Sequence, residues 1–113
     1  MSGRVGYLGE FEQVVMLAVV RLGDEAYGTS IRREIEARTG RTVAIGAVYA
    51  TLARLEEKGI VRFRVSDPQP VQGGRARKYF SLTGAGSRAL RHSTAMLSRM
   101  MSGLSPELRG GRS

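Results

Sequence analysis

The segment Gly-Gly-Arg-Ala-Arg-Lys at 73–78 sets Arg75, Arg77 and Lys78 on a glycine-led loop, just ahead of the run Tyr79-Phe80-Ser81-Leu82. Guanidinium and ammonium groups bind phosphate oxygens through charge-assisted hydrogen bonds, and the guanidinium fork makes two such bonds in parallel. Gly73 and Gly74 permit unusual dihedrals and a close backbone approach to whatever the cations hold. A second segment, "IGAVYATLARL" at 45–55, reads as a helix with one face of little more than Gly and Ala. Such a face can enter a groove, or it can lie close against another helix. The chemistry on offer is recognition of a polyanion.

Covalent chemistry is poorly provided for. The chain has no cysteine and one histidine, His92, so it offers neither a disulfide nor a Cys/His metal set. No nucleophile stands at a recognisable spacing from a base. Gly73-Gly74 is not the phosphate loop of a nucleotide enzyme, because it precedes a strand and has the wrong spacing. We expect no enzyme activity, no cofactor and no metal. His92, alone on a helix, is read as a surface residue.

The formal net charge is +8, and its distribution says more than its size. Residues 1–40 hold five basic and six acidic side chains, residues 41–91 ten and three, and residues 92–113 three and one. Basicity concentrated in mid-chain makes an electrostatic footprint for phosphates. A solvated basic surface would give the same total, so position must decide. With 113 residues the chain suits one domain plus an appendage, with a modest core that makes self-association worth seeking. Its longest apolar run, "VVMLAVV" at 14–20, is too short to span a bilayer, and acids stand where a signal peptide needs apolar residues. A cytoplasmic location without membrane contact is expected.

The elements that must position these cations follow from periodicity. Residues 8–22 carry apolar side chains at 8, 11, 15, 18 and 22, a helical stripe, with Val14, Leu17 and Val20 outside it. A helix so nearly apolar all round calls for cover on both faces, which a second subunit could supply. A second helix is expected over 29–39, capped by Thr29 or Ser30, with Ile31 and Ile35 inward and Gly40 as its stop. A third, over 42–58, has Thr42 as N-cap and Ile45, Val48, Leu52 and Leu55 as its buried stripe; Val43, Gly46, Ala50, Ala53, Arg54 and Glu57 face the other way, with Tyr49 on the flank. Strands are expected at 60–65 and 77–82 around a turn-forming loop at 66–76. A last helix starts after Thr83 and carries Leu90, Thr94, Leu97, Met101 and Leu104 as an apolar seam, widened by Ala89, Met96 and Met100.

Three helices followed by a hairpin make a mainly α, α+β fold, the winged helix-turn-helix. Its third helix enters the major groove and its wing lies on flanking phosphates. The expected divisions are a DNA-binding domain at 1–83, a dimerisation helix at 84–104 and a tail at 105–113.

At these residues the chain resembles the PadR family of bacterial transcriptional regulators. Tyr27-Gly28, "IGAVYATLARLEEKGIV" at 45–61 and "GGRARKYFSLTGAG" at 73–86 carry the resemblance, which covers about residues 8–104. It implies a homodimer, usually a repressor, on a pseudo-palindromic operator in double-stranded DNA. The C-terminal helix of one protomer would pack on the partner's N-terminal helix. With room for one C-terminal helix, the chain looks like the short type. Some members of the family stack flat drugs on tryptophan between subunits; this chain has none. An effector among Met96, Met100 and Met101 is one reading, and plain dimer core is the favoured one. The residues expected at the DNA are Arg41, Thr42, Ala44, Gly46, Ala47, Tyr49 and Ala50 near the groove, Arg54 on adjacent phosphate, and Arg75, Arg77 and Lys78 on the wing. Val15, Val19, Leu90, Leu97, Met100, Met101 and Leu104 are expected between protomers. The alternative is a basic winged helix that binds RNA or a protein partner.

Overall fold

The structure, a computed structural model, describes residues 8–66 and 76–104. Apolar residues recurring every third or fourth position build α1 (Glu10–Leu22), α2 (Gly28–Thr39) and α3 (Ile45–Glu57), with a short 3-10 turn at Gly23–Glu25 between the first two. Alternation of apolar and polar residues then yields β1 (Val61–Val65) and β2 (Lys78–Leu82), and α4 (Gly84–Met101) closes the order. Gly73, Gly74 and Arg75 lie outside the described residues, as does the expected tail at 105–113.

One core joins these elements. Val15, Met16 and Val19 of α1 meet Ile31 and Ile35 of α2 and Val48, Leu52 and Leu55 of α3; Ile60, Val61 and Phe80 close it from the sheet, and Leu90 from α4. The strands pair antiparallel with Phe63 opposite Phe80 and Arg64 opposite Tyr79. The Phe80 N–H donates to the Ala26 carbonyl at 2.7 Å, which straps the hairpin to the segment ahead of α2.

Two expected helix starts differ from the structure. The residue preceding α2 is Tyr27, and Ser30 sits inside the first turn, its Oγ accepting the Tyr27 N–H at 2.9 Å. Thr29 and Ser30 are therefore not caps. At α3 the cap position belongs to Ala44, not Thr42. The cause is Val43, expected on the outer helix face but buried in the core, with its N–H donating to Glu36 Oε2 at 2.9 Å. Once Val43 is anchored, the chain stays extended through 44 and the helix begins two residues late. Ile45, expected inside, is 39% exposed, and Thr51 takes the buried position instead.

Helix α4 is joined to the end of α3 at one point. The Thr83 side chain accepts the Gly86 N–H at 3.0 Å and donates to the Gly59 carbonyl at 2.7 Å, while the Thr83 N–H donates to the Ile60 carbonyl at 2.9 Å. This is the N-cap expected from the sequence. A Cβ on Gly86 would strike the Ile60 carbonyl oxygen and crowd its carbonyl carbon and Cγ2, so only glycine lets the helix this close. Beyond Leu90 no described residue of α4 is buried.

Glu12 ties the start of α1 to the end of α3. Its carboxylate accepts the Gly9 N–H at 2.9 Å and pairs with Lys58 Nζ at 2.9 Å and Arg54 Nε at 3.7 Å. Burial pushes the carboxyl up, but the Gly9 N–H and the Lys58 and Arg54 charges outweigh it and hold the pKa below its ordinary value. A lowered folded-state pKa gives stability that is full above the unfolded value of about 4.3 and is lost as pH falls through the folded value. Thermal unfolding followed by circular dichroism should show Glu12→Gln costing about 1 to 2 kcal/mol at neutral pH. The cost should shrink toward zero under acid.

Candidate nucleic-acid interface

The outer face of α3 is small. Gly46, Ala47, Ala50 and Ala53 are all exposed, with Ala44 just ahead of the helix. A Cβ on Gly46 would meet nothing within 4 Å, so nothing in the chain itself demands glycine there. No side chain caps this helix end. Tyr49 stands on the flank, 48% exposed, and its phenol lies over Gly28 so closely that a Cβ there would overlap the ring. The recognition-type helix thus rests on the first turn of α2.

The expected cations around α3 already have partners. Arg41 and Thr42 are both exposed ahead of the helix, and Arg41 Nη1 pairs with Glu10 Oε2 at 2.8 Å while its guanidinium lies 5.3 Å from the Phe11 ring centre. Arg54 donates to Thr51 Oγ1 at 3.2 Å besides its pairing with Glu12. These acids sit on α1 and were not expected at the site. Their spacing along α1 carries no sign of which distant cation they meet.

The wing separates cations that the sequence placed together. Strand alternation puts Lys78 with Phe80, and its Nζ lies 4.0 Å from the Phe63 ring centre. Arg77 belongs to the other face, with Tyr79 and Arg64. There the Arg77 guanidinium stacks over the Tyr27 ring at 4.1 Å, and Nη1 donates to the Tyr79 hydroxyl at 3.5 Å. That hydrogen bond raises the guanidinium pKa further, against an opposing effect of desolvation. Arg64 lies over the Tyr79 ring at 4.5 Å and reaches the Asp24 carbonyl at 3.4 Å. Tyr27 and Tyr79 meet edge to face, 5.6 Å apart. Tyr27, Arg64 and Tyr79 were not singled out as site residues. Alternation alone sets Tyr79 on the same face as Arg77, but Arg64 needs the register of the hairpin and Tyr27 the packing of α2.

A different surface carries the residues expected between protomers. Val15 and Val19 are 0% and 3% exposed and packed inside the chain's own core, as is Leu90. They have almost no surface to offer a partner. The outward face of α1 carries Val14, Leu17 and Val20 instead, above a groove of about 350 Å³ between α1 and α2. Arg21 and Arg38 both pair with Glu34 at its rim, at 3.1 and 3.0 Å. On α4, Leu97 and Met100 are exposed and Met101 half-buried, while Leu104 lies past the last helical residue. Among the described residues no group of three or more His, Cys, Asp or Glu could hold a metal ion, and no helix is long and apolar enough to cross a membrane.

Solved structures share this arrangement. A PadR family transcriptional regulator from Eggerthella lenta is 27% identical, with 88% of this chain and 86% of that one covered at a TM-score of 0.64. A PadR-like regulator from Bacillus cereus is 18% identical and superposes over 88% of this chain and 92% of its own at 0.68. Bacillus subtilis PadR, solved in complex with operator DNA, is 19% identical and matches 75% of this chain and 46% of that one at 0.60. No curated protein matches the sequence. The model of the transcriptional regulator PadR-like family matches residues 16–92, more than half of the chain and all of its helix-turn-helix and wing strands. With the winged-helix arrangement of its elements, that match makes the chain a member of the PadR-like family of DNA-binding transcriptional regulators.

Proposed function

We propose that the chain works as a homodimeric repressor on a pseudo-palindromic operator, with α3 in the major groove and the wing on flanking phosphate. The observation that carries this reading is the bare outer face of α3, where Gly46 has open space around it and Ala47 and Ala50 add almost no bulk. Arg41, Thr42, Ala44 and Tyr49 border that face, and Arg54 stands further along it. Arg75 completes the wing set of Arg77 and Lys78 from outside the described residues. Few of these side chains bond base edges, so thymine methyl contacts and DNA shape would supply much of the discrimination.

Dimerisation in this reading joins α4 of one protomer to the outer face of α1 of the other. Leu97 and Met100 are exposed on α4 and Leu104 just beyond its end, with Leu17 and Val20 exposed on α1. Met96, Met100 and Met101 then belong to the dimer core and require no effector. A two-fold axis would set the recognition helices roughly 34 Å apart, one turn of DNA.

Footprinting on the DNA flanking the coding region tests the whole reading, with an inverted repeat as the expected protected site. Wing contacts add affinity without reading sequence. Arg75→Ala and Arg77→Ala should each weaken binding to the repeat and to random duplex alike, and each should lower the salt slope by about one. Unchanged binding to both would remove the wing from the interface. A monomer that prefers structured RNA would overturn the repressor reading in favour of the RNA-binding one.

A further inference from the structure

We propose that Tyr27 is a positioning residue for DNA binding: its ring, presented by the start of α2, holds the Arg77 guanidinium ready for phosphate before DNA arrives. This rests on the reading of Arg77 as a phosphate contact. Arg77 stands just ahead of β2 on an exposed surface, where a long side chain would otherwise lose much rotamer freedom on binding. Two contacts restrain it, and a third links the two rings that make them. The guanidinium lies 4.1 Å from the centre of the Tyr27 ring, its Nη1 donates to the Tyr79 hydroxyl at 3.5 Å, and the two rings brace each other edge to face.

Tyr27 is itself well held. Its N–H donates to Ser30 Oγ at 2.9 Å, its carbonyl accepts the Ile31 N–H at 2.8 Å, and the preceding Ala26 carbonyl is bonded to β2. The guanidinium sits over the face of the Tyr27 ring, and among the described residues its one side-chain hydrogen bond goes to the Tyr79 hydroxyl, which leaves other N–H groups for a phosphate. The next residue, Gly28, lies under the Tyr49 phenol of α3. One two-residue step therefore touches both the groove-facing helix and the wing, and fixes the wing cation relative to the helix.

The test uses the full chain and a fluorescent random-sequence duplex of about 30 base pairs, titrated at several salt concentrations. Variants are Tyr27→Phe, Tyr27→Leu, Arg77→Ala and the Tyr27→Leu/Arg77→Ala pair, with Tyr79→Phe as a milder perturbation that spares the core. Tyr27→Phe keeps the ring and should bind as the parent does, whereas Tyr27→Leu should weaken binding about 3-fold to 10-fold. In the Arg77→Ala background Tyr27→Leu should add nothing, and Tyr79→Phe should lose its smaller effect there too. NMR of the free protein supplies a readout that a general loss of stability would not mimic: ring-current shifts at the Arg77 side chain, kept in Tyr27→Phe and lost in Tyr27→Leu. Equal loss from Tyr27→Leu with and without Arg77, or parent-like binding of Tyr27→Leu, overturns the proposal while the wing reading stands. Parent-like binding of Arg77→Ala overturns the wing reading and this one with it.

Discussion

Gly86→Ala should destabilise the protein by about 2 to 3 kcal/mol, because one methyl group would have to occupy the space of the Ile60 carbonyl oxygen. The obstacle is backbone, so no rotamer change can relieve it. Backing α4 away would break the bonds that Thr83 makes to the Ile60 and Gly59 carbonyls, exposing helix N–H groups and carbonyls together. The melting temperature should fall by roughly 10 to 15 °C, measured at one fixed protomer concentration. Gly84→Ala is the control: it lies two residues earlier on the same helix, where a Cβ would meet only the end of the Arg88 side chain, at 3.5 Å. That variant should be neutral or slightly stabilising. Equal melting of both variants would mean that α4 does not seat on the Ile60 carbonyl.

Leu17→Asp should turn the dimer into a monomer and lower operator affinity by about 100-fold or more, since two tethered half-sites would become two independent ones. Leu17 is 43% exposed, so the fold of one chain loses little when it becomes charged. In the proposed dimer the same carboxylate would be desolvated against the methionines and leucines of the partner's α4, beside Arg21 and Arg38 that are already paired with Glu34. Leu97→Asp places the charge on the opposing helix and should give the same result. Sedimentation velocity reads the oligomeric state and a titration of the footprinted operator reads the affinity. A dimer of parental affinity in both variants would show that α1 and α4 do not form the subunit contact.

The fold was largely legible because its signals are local. The stripe of α1, the alternation in β1 and the Thr83 cap each depend on neighbours within a few residues. Where long-range packing competes with a local preference, the local preference loses. Thr42 is a good N-cap residue, yet the burial of Val43 drags the chain past it. On α1 the difficulty is phase: a helix apolar on every side does not announce which face is its own core. Val15 and Val19 were therefore expected at a partner, and they lie inside the chain. The small face of α3 was readable from its Gly and Ala. The Tyr27 ring beside Arg77 was not, because the approach of α2 to the hairpin is a property of the assembled fold.

The acids of α1 have a consequence for the electrostatics of recognition. Glu10 holds Arg41, and Glu12 holds Lys58 with Arg54 nearby. In the free chain these carboxylates stand in for the phosphates that Arg41 and Arg54 are proposed to meet. A cation that moves to DNA then leaves a carboxylate of α1 behind, which takes up solution cations as the DNA releases them. The chain carries its own polyanion mimic, and its binding should depend on salt less steeply than a formal charge of +8 suggests.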